Sequence, residues 1–232
     1  MPTVCVSMAR ASSMRLTRLD DCGAPVEGTC STLVTAGWVS VTDTPNYQDP
    51  EEITQANANG DLCVDDQSDP ALRWLDLEIQ MCITDPDAIN IITGDPVVTD
   101  DAVAANNIGY RVNDALTGSG NFALELWSGI PGQICPATGF RQYGYWLYPW
   151  VRQVTWGETT IGNQALLLNF SARTQDGGLW GVGPYNIRRD AVTPATLEPL
   201  LTAIGANDHK HFQVTTLAPP TPVCGCTELV IP

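Results

Sequence analysis

From Leu75 to Ile83 the chain alternates without a break. Leu75, Leu77, Ile79, Met81 and Ile83 fall on one side, and Asp76, Glu78, Gln80 and Cys82 on the other. This is the period-two pattern of a strand with one face in a core. Asp85-Pro86-Asp87 follows. Asp85 suits a helix N-cap, and Pro86 suits the first helical position, where no N–H is needed. Ala88, Ile89, Ile91 and Ile92 then predict one or two helical turns, ended by Gly94.

Other segments carry weaker strand signals. Residues 14–19 and 37–41 read as short strands around the turn-rich CGAPVEGTC, and residues 42–50 (TDTPNYQDP) as a polar loop with two prolines. Residues 52–55 and 62–64 flank Asn57-Ala58-Asn59-Gly60, and Asn-Gly between strand-like runs predicts a hairpin, because both residues tolerate positive φ. Residues 65–70 (DDQSDP) read as a second acidic loop, and residues 99–107 as a loop or one helical turn. Phe122, Leu124 and Leu126 alternate with Ala123 and Glu125, which places Glu125 on an outward face. YGYWLYPW at 143–150 is aromatic on both faces, so it is buried twice or lies at an interface. Leu166, Leu168 and Phe170 share a face, residues 176–178 (DGG) form a turn, and residues 180–185 (WGVGPY) are loop-like. Residues 195–201 suit a short helix, and Phe212, Val214 and Thr216 a last strand. Many strands and few helices imply a mainly β fold, a β-sandwich or partial barrel with one or two short flanking α-helices. With no internal repeat or clear boundary, residues 1–232 read as one domain, with an extended N-terminal arm over about 1–13 and a Pro-rich extended tail over about 217–232.

Charge changes this picture. The net charge is −15, and it is uneven: residues 1–101 carry −14 and residues 102–232 carry −1. A clamp on phosphate backbones is excluded, since it needs clustered Lys and Arg. The excess serves as a solvated face, or as a surface that nucleic acid passes without sticking. One Lys, Lys210, stands against ten Arg, which fits a GC-rich genome. No window approaches the roughly 20 apolar residues of a membrane helix. MPTVCVSMARASSMRL lacks the apolar core of a secretory signal, so a chain made and kept in the cytosol is expected. The eight cysteines then read as mostly free thiols, with one or two bridges formed on release into an oxidising medium.

Candidate chemistry is sparse. His209 and His211, with Cys224 and Cys226, offer four zinc ligands in principle, but their spacing matches no zinc motif, and a solvent-facing polar patch before the last strand is the expected role of the histidines. Asp208 lies beside His209, but no G-x-S-x-G elbow exists, and Gly118-Ser119-Gly120 reads as a turn. Glu125 and Glu158 are the pair to consider for glycoside hydrolysis. No cofactor, catalytic or metal site is expected. The aromatic run, with Trp127, Trp156 and Trp180, suits a sugar platform or a core and subunit interface. So many rings exceed what one small core holds, which favours an interface.

Six segments in one order, MRLTRLDDCGAPVEG, EEITQANANGDLCV, LRWLDLEIQMCITDPDAINIITG, FALELWSG, YGYWLYPWV and LNFSARTQDGGLWGVGPY, resemble the major tail (tail tube) proteins of long, non-contractile-tailed phages of actinobacteria. The likeness runs from Met14 to Tyr185; residues 99–107 and the C-terminal tail carry little of it.

The resemblance implies a structural virion protein, not an enzyme, assembled in the host cytoplasm. Six copies form a ring, their inner strands join into one β-barrel, and rings stack into a tube. The lumen holds the tape-measure protein and then conducts DNA, which passes without specific binding. Tail terminator and distal tail proteins are the further partners, and no membrane is involved. An acidic lumen would repel phosphate over a Debye length of about 8 Å. Asp43, Glu51, Glu52, Asp61, Asp65, Asp66, Asp76 and Glu78 are the lumen candidates. Tyr47, Asn59, Gly60, Trp127, Tyr145, Trp146, Tyr148, Trp150, Trp156 and Trp180 are the interface candidates. Residues 42–50, the Asn59-Gly60 hairpin, residues 65–70 and both termini are expected to order on stacking. A head decoration or tail terminator protein, a carbohydrate-binding module and an enzyme are the alternatives.

Overall fold

The alternation from Leu75 is realised as a strand that feeds a capped helix. In the computed structural model, which describes residues 5–113, 120–132, 140–192 and 194–231, the elements follow in this order. Ala9–Arg18 (β1), Gly28–Thr35 (β2) and Trp38–Tyr47 (β3) lead into a hairpin of Glu52–Ala56 (β4) and Leu62–Gln67 (β5). Leu72–Met81 (β6) and the helix Pro86–Thr93 (α1) come next, then a small hairpin of Val97–Thr99 (β7) and Asn107–Tyr110 (β8). Phe122–Gly129 (β9), Tyr143–Trp156 (β10) and Leu168–Thr174 (β11) follow. Arg188–Arg189 (β12) pairs with Leu197–Glu198 (β13), and His211–Thr215 (β14) and Thr227–Leu229 (β15) complete the order.

One antiparallel sheet runs β15-β2-β1-β9-β10-β11-β6-β3, and β14 adds to β10. The sheet does not close into a barrel, and the fold is mainly β with one short helix among the described residues, consistent with a β-sandwich. The long strand β10 divides it. Residues 143–151 pair with β9 on one side; on the other, 143–147 pair with β14 and 151–156 with β11.

Leu75, Leu77, Ile79 and Met81 of β6 are buried, as the alternation demands. Ile83 is not: the strand ends at Met81, and Ile83 lies exposed in the bend before α1. Asp85 caps α1, its Oδ1 accepting from Asp87 N at 3.0 Å and Ala88 N at 3.4 Å. Gly94 ends the helix at φ 79°, a left-handed conformation that a side chain resists. Ala88, Ile89, Ile91 and Ile92 enter the main core beside Met14, Leu16, Phe122, Leu124 and Phe170. A second core lies on the opposite face of β9 and β10 and holds Ala123, Trp127, Tyr145, Leu147, Trp150, Trp180, Ile187 and Leu200.

That second core corrects several expectations. Strand β9 is buried on both faces, because residues 180–200 supply Trp180, Ile187 and Leu200 to cover the face that alternation assigned to solvent. Residues 195–201 are therefore not a helix; their Leu197–Glu198 pairs with β12. Residues 42–47 are not loop but the second half of β3, and Pro45 is tolerated because β3 lies at the edge of the sheet. Residues 65–67 likewise belong to β5. Residues 99–107 connect β7 to β8, with Asp100 accepting from Asn106 N at 2.9 Å.

Residues 9–13 and the described part of the tail pair within the chain itself. Ala9–Ser13, expected in a free arm, already pair within β1, and residues 1–4 lie outside the described residues. The tail adds β15 to the β2 edge, and Cys30 is bonded to Cys226 across 196 residues. The turn Gly118-Ser119-Gly120 falls mostly outside the described residues, as does Cys135.

Candidate assembly surface

Strands β3 and β6 pair along their whole length, from Trp38↔Met81 to Tyr47↔Leu72. The ladder continues beyond them through Gln48 N→Ala71 O at 2.8 Å and Ser68 N→Glu51 O at 3.0 Å, into the β4–β5 hairpin. The turn differs from the two-residue form that Asn-Gly suggests. Gly60 alone takes positive φ, 90°, while Asn57 Oδ1 accepts from the N–H groups of Asn59 and Asp61, both at 2.9 Å. Asn57 thus organises a longer turn, and Gly60 supplies its left-handed residue.

All five residues of β4 and all six of β5 are exposed. Register pairs Ile53 with Asp66 and Gln55 with Val64, so these four share a face, and Glu52, Thr54, Asp65 and Gln67 share the other. Ile53, Leu62 and Val64 are therefore aliphatic side chains that enter neither core of their own molecule and stay 53%, 62% and 44% exposed. An isolated two-stranded hairpin is marginal in water. Between Gln48 and Ala71 the chain has Asp49, Glu51, Glu52, Asp61, Asp65, Asp66 and Asp69 and no Lys or Arg.

The acidic candidates separate into three settings. Glu51, Glu52, Asp61, Asp65 and Asp66 are on the hairpin and exposed. Asp76 and Glu78 lie on the outer face of β6; Asp76 accepts from Trp74 Nε1 at 2.9 Å and Asn46 Nδ2 at 3.4 Å, and Glu78 lines a shallow pocket with Ser40, Thr42 and Glu158. Asp43 does not belong with them. It pairs with Leu77 in register, turns inward and takes both Lys210 Nζ, at 2.9 and 3.0 Å, and the Tyr148 hydroxyl at 3.1 Å. Burial first, and the Asp43 carboxylate second, push the Tyr148 phenol well above its ordinary pKa. Asp43 is thus neutralised by the chain's single lysine.

The aromatic candidates mostly turn inward. Trp127, Tyr145, Tyr148, Trp150 and Trp180 are buried by their own chain, so the expectation that they need a subunit contact is corrected. Two cores back to back on β9 and β10 hold more rings than one. Trp156 is half-buried; its Nε1 donates to Asp95 Oδ2 at 2.8 Å, and it stacks on Tyr110 at 5.4 Å. Trp146 is half-exposed beside Phe212, 4.3 Å between centroids. Tyr47, Asn59 and Gly60 are exposed along the ribbon and its tip.

The remaining chemistry resolves into structure. Glu125 has no exposed surface: its Oε2 and Oε1 accept from Arg15 Nε and Nη2, both at 2.5 Å, and Oε1 also accepts from Tyr145 Oη at 2.7 Å. Burial alone would lower the Arg15 pKa; the Glu125 charge and hydrogen bond outweigh it and hold it above the ordinary value. Arg15 also lies 3.3 Å from the Tyr185 ring centroid. Glu158 lines exposed pockets that Glu125 does not reach, so the two carboxylates do not share one site. His209 is buried rather than solvent-facing, its Nδ1 2.8 Å from Thr174 Oγ1. Cys30, Asp87 and Cys226 gather within 4.8 Å, but the two cysteines are bonded to each other. Asp87 Oδ2 instead accepts from Cys226 N at 3.0 Å, and Asp85 Oδ2 from Gly225 N at 3.0 Å.

Sequence reasoning missed the aliphatic face of the hairpin, although the alternation of Leu62, Val64 and Asp66 carried it. It also missed the Lys210–Asp43 pair, for which separation along the chain leaves no local signal. No helix among the described residues is long and apolar enough to cross a membrane. Neither a protein-family model nor a curated protein matches the chain.

Proposed function

We propose that this chain is a structural subunit that assembles with copies of itself into stacked hexameric rings, forming the tail tube of a long-tailed phage. The observation that carries the reading is the β4–β5 hairpin. It projects from the sheet with every strand residue exposed and with Ile53, Leu62 and Val64 uncovered. A monomer gains nothing from such an element, whereas an assembly gains a contact. Among the described residues, β3 pairs with β6 alone, so its outer edge is free to extend a sheet across a subunit boundary. The acidic outer stripe of Asp76, Glu78 and the hairpin carboxylates supports a lumen wall that DNA and the tape-measure protein pass without sticking.

A second reading rests on the open groove of about 360 Å³ beside Trp38, Trp146 and Tyr148, with Asp43 and Lys210 at hand, which has the ring and polar groups of a carbohydrate site. Negative-stain microscopy of the concentrated chain, with light scattering, separates the two. Rings or tubes with a central channel are expected. Replacing residues 48–71 by a short turn between Tyr47 and Leu72 is expected to abolish them while leaving thermal stability intact, since no residue of the hairpin belongs to either core. A monomer at every concentration that also binds glycans, with binding lost in Trp146→Ala, would replace the tube reading by the carbohydrate one.

A further inference from the structure

We propose that the β4–β5 hairpin of one copy seats in a groove around Arg10 and Arg141 of the next copy. The proposal rests on the self-assembly reading and names the surface that receives the hairpin. The groove holds about 1000 Å³, at the upper end of ligand-sized cavities. Ala9, Arg10, Gly129, Pro131, Arg141 and Tyr143 line it, and among the described residues no acidic one does.

The groove is built rather than incidental. Strand β1 shifts register against β9 twice, between Ala9 and Ala11 and between Ala11 and Met14. Arg10 sits within this irregularity at φ 58°, a left-handed conformation that costs a non-glycine residue energy. Bulges of this kind re-aim a side chain. Arg10 is exposed, and Arg141, also exposed, lies 5.6 Å from the Tyr143 ring centroid. Neither takes part in an ion pair within the chain among the described residues. The other exposed arginine pocket is less suited. There Arg73 and Arg173 already stack on Trp74, at 4.4 and 4.7 Å, and Asp176 stands beside them.

The two surfaces complement each other in both charge and polarity. The hairpin brings carboxylates and no cation; the described groove residues bring guanidinium groups and no carboxylate. Ile53 and Val64 share their face with Asp66, so aliphatic side chains lie on the Pro131 and Tyr143 floor while Asp66 meets an arginine. Arginine holds carboxylates through a planar fork, which fixes geometry as well as charge. Hairpin and groove are different patches, so the contact is head-to-tail, the kind that closes into rings or extends into open stacks.

A charge exchange tests the pairing. Asp65→Lys with Asp66→Lys changes only exposed hairpin residues, and Arg10→Glu with Arg141→Glu only exposed groove residues. Each pair alone is expected to lower assembly by about a hundredfold, because like charges face each other at the contact. The chain carrying all four changes is expected to assemble again to within about tenfold of the parent. If the parent assembles and the fourfold variant does not, or if Arg10→Glu with Arg141→Glu assembles normally, the groove is not the receptor, and the tube reading stands without it. If the parent does not assemble, the tube reading fails, and disulfide trapping decides the groove separately. In a chain whose unpaired cysteines are Ser, Gln55→Cys, on the face of Ile53 and Val64, is expected to cross-link to Ser12→Cys of a second copy under mild oxidation. Absence of that dimer overturns the proposal.

Discussion

Glu125→Gln probes the more buried of the two ion pairs among the described residues. The substitution keeps the side-chain volume and removes one negative charge. Arg15 is 7% exposed and Glu125 is fully buried, so water cannot replace the lost carboxylate. Arginine does not shed its proton in a protein, so the cation stays charged where it lies. The amide oxygen can accept from Nε or from Nη2, but its NH₂ group then faces the other arginine donor, and one of the two 2.5 Å bonds is lost outright. Breaking a buried pair from one side costs about 3–5 kcal/mol. For a chain of this size that lowers Tm by roughly 2–4 °C per kcal/mol. Removing both charges is a different perturbation. Arg15→Met with Glu125→Leu leaves no unpaired ion, so its cost falls to about 1–3 kcal/mol, that of the buried Tyr145 hydroxyl left without its carboxylate acceptor. Urea unfolding of the parent, both single variants and the double variant closes the cycle, and a coupling above about 2 kcal/mol is expected. A Glu125→Gln protein within about 0.5 kcal/mol of the parent, at unchanged m-value, would refute the reasoning, because such small effects belong to surface sites. So would a double variant as unstable as the sum of the singles.

Three other outcomes follow from the same structure. Cys30→Ser, or reduction of the parent, is expected to lower stability by about 2–5 kcal/mol and release the tail from β2, read as hydrogen exchange at Thr227–Leu229. Asp85→Ala is expected to cost about 1–2 kcal/mol, through loss of the α1 cap and of the bond from Gly225; equal stability in urea would exclude the capping role. Burial, with the charge of Glu125 or Asp43 adding to it, raises the pKa of Tyr145, Tyr148 and Tyr185, so these phenols are favoured neutral in the fold. The stability they contribute is complete below the ordinary tyrosine pKa, about 10, and is lost as pH rises above it. Absorbance at the tyrosinate band is therefore expected to reach its full six-tyrosine value only when the chain unfolds in alkali.

What the sequence made legible was local. The cap at Asp85, the stop at Gly94 and the alternation of Leu75 to Met81 each depend on a few neighbours, and all three stand in the structure. What escaped was decided at a distance. Glu125 looks outward by alternation; only residues 180–200, which show no period at all, bury it. Pro45 looks like a loop marker, and only the place of β3 at the sheet edge admits it to a strand. Cys30 finds Cys226 across 196 residues, a connectivity no spacing reveals. The second core explains the aromatic surplus in the same way, because one tally of rings served two layers.

The hairpin shows a different kind of error, and a more useful one. Residues 65–67 read from the sequence as part of an acidic loop, outside any core. They do not enter one, yet they form a strand. Lack of burial was read as lack of structure. Backbone pairing needs no buried side chain, only a partner strand, and Leu62–Gln67 has one in Glu52–Ala56. A strand acidic on both faces, alternating with Leu62 and Val64 on one of them, cannot be a layer of its own molecule. Under the proposed assembly it meets a second surface with apolar floor and positive charge. Where the charge bias of the first 101 residues coincides with a strand pattern, it marks the exposed hairpin on which the proposed assembly rests.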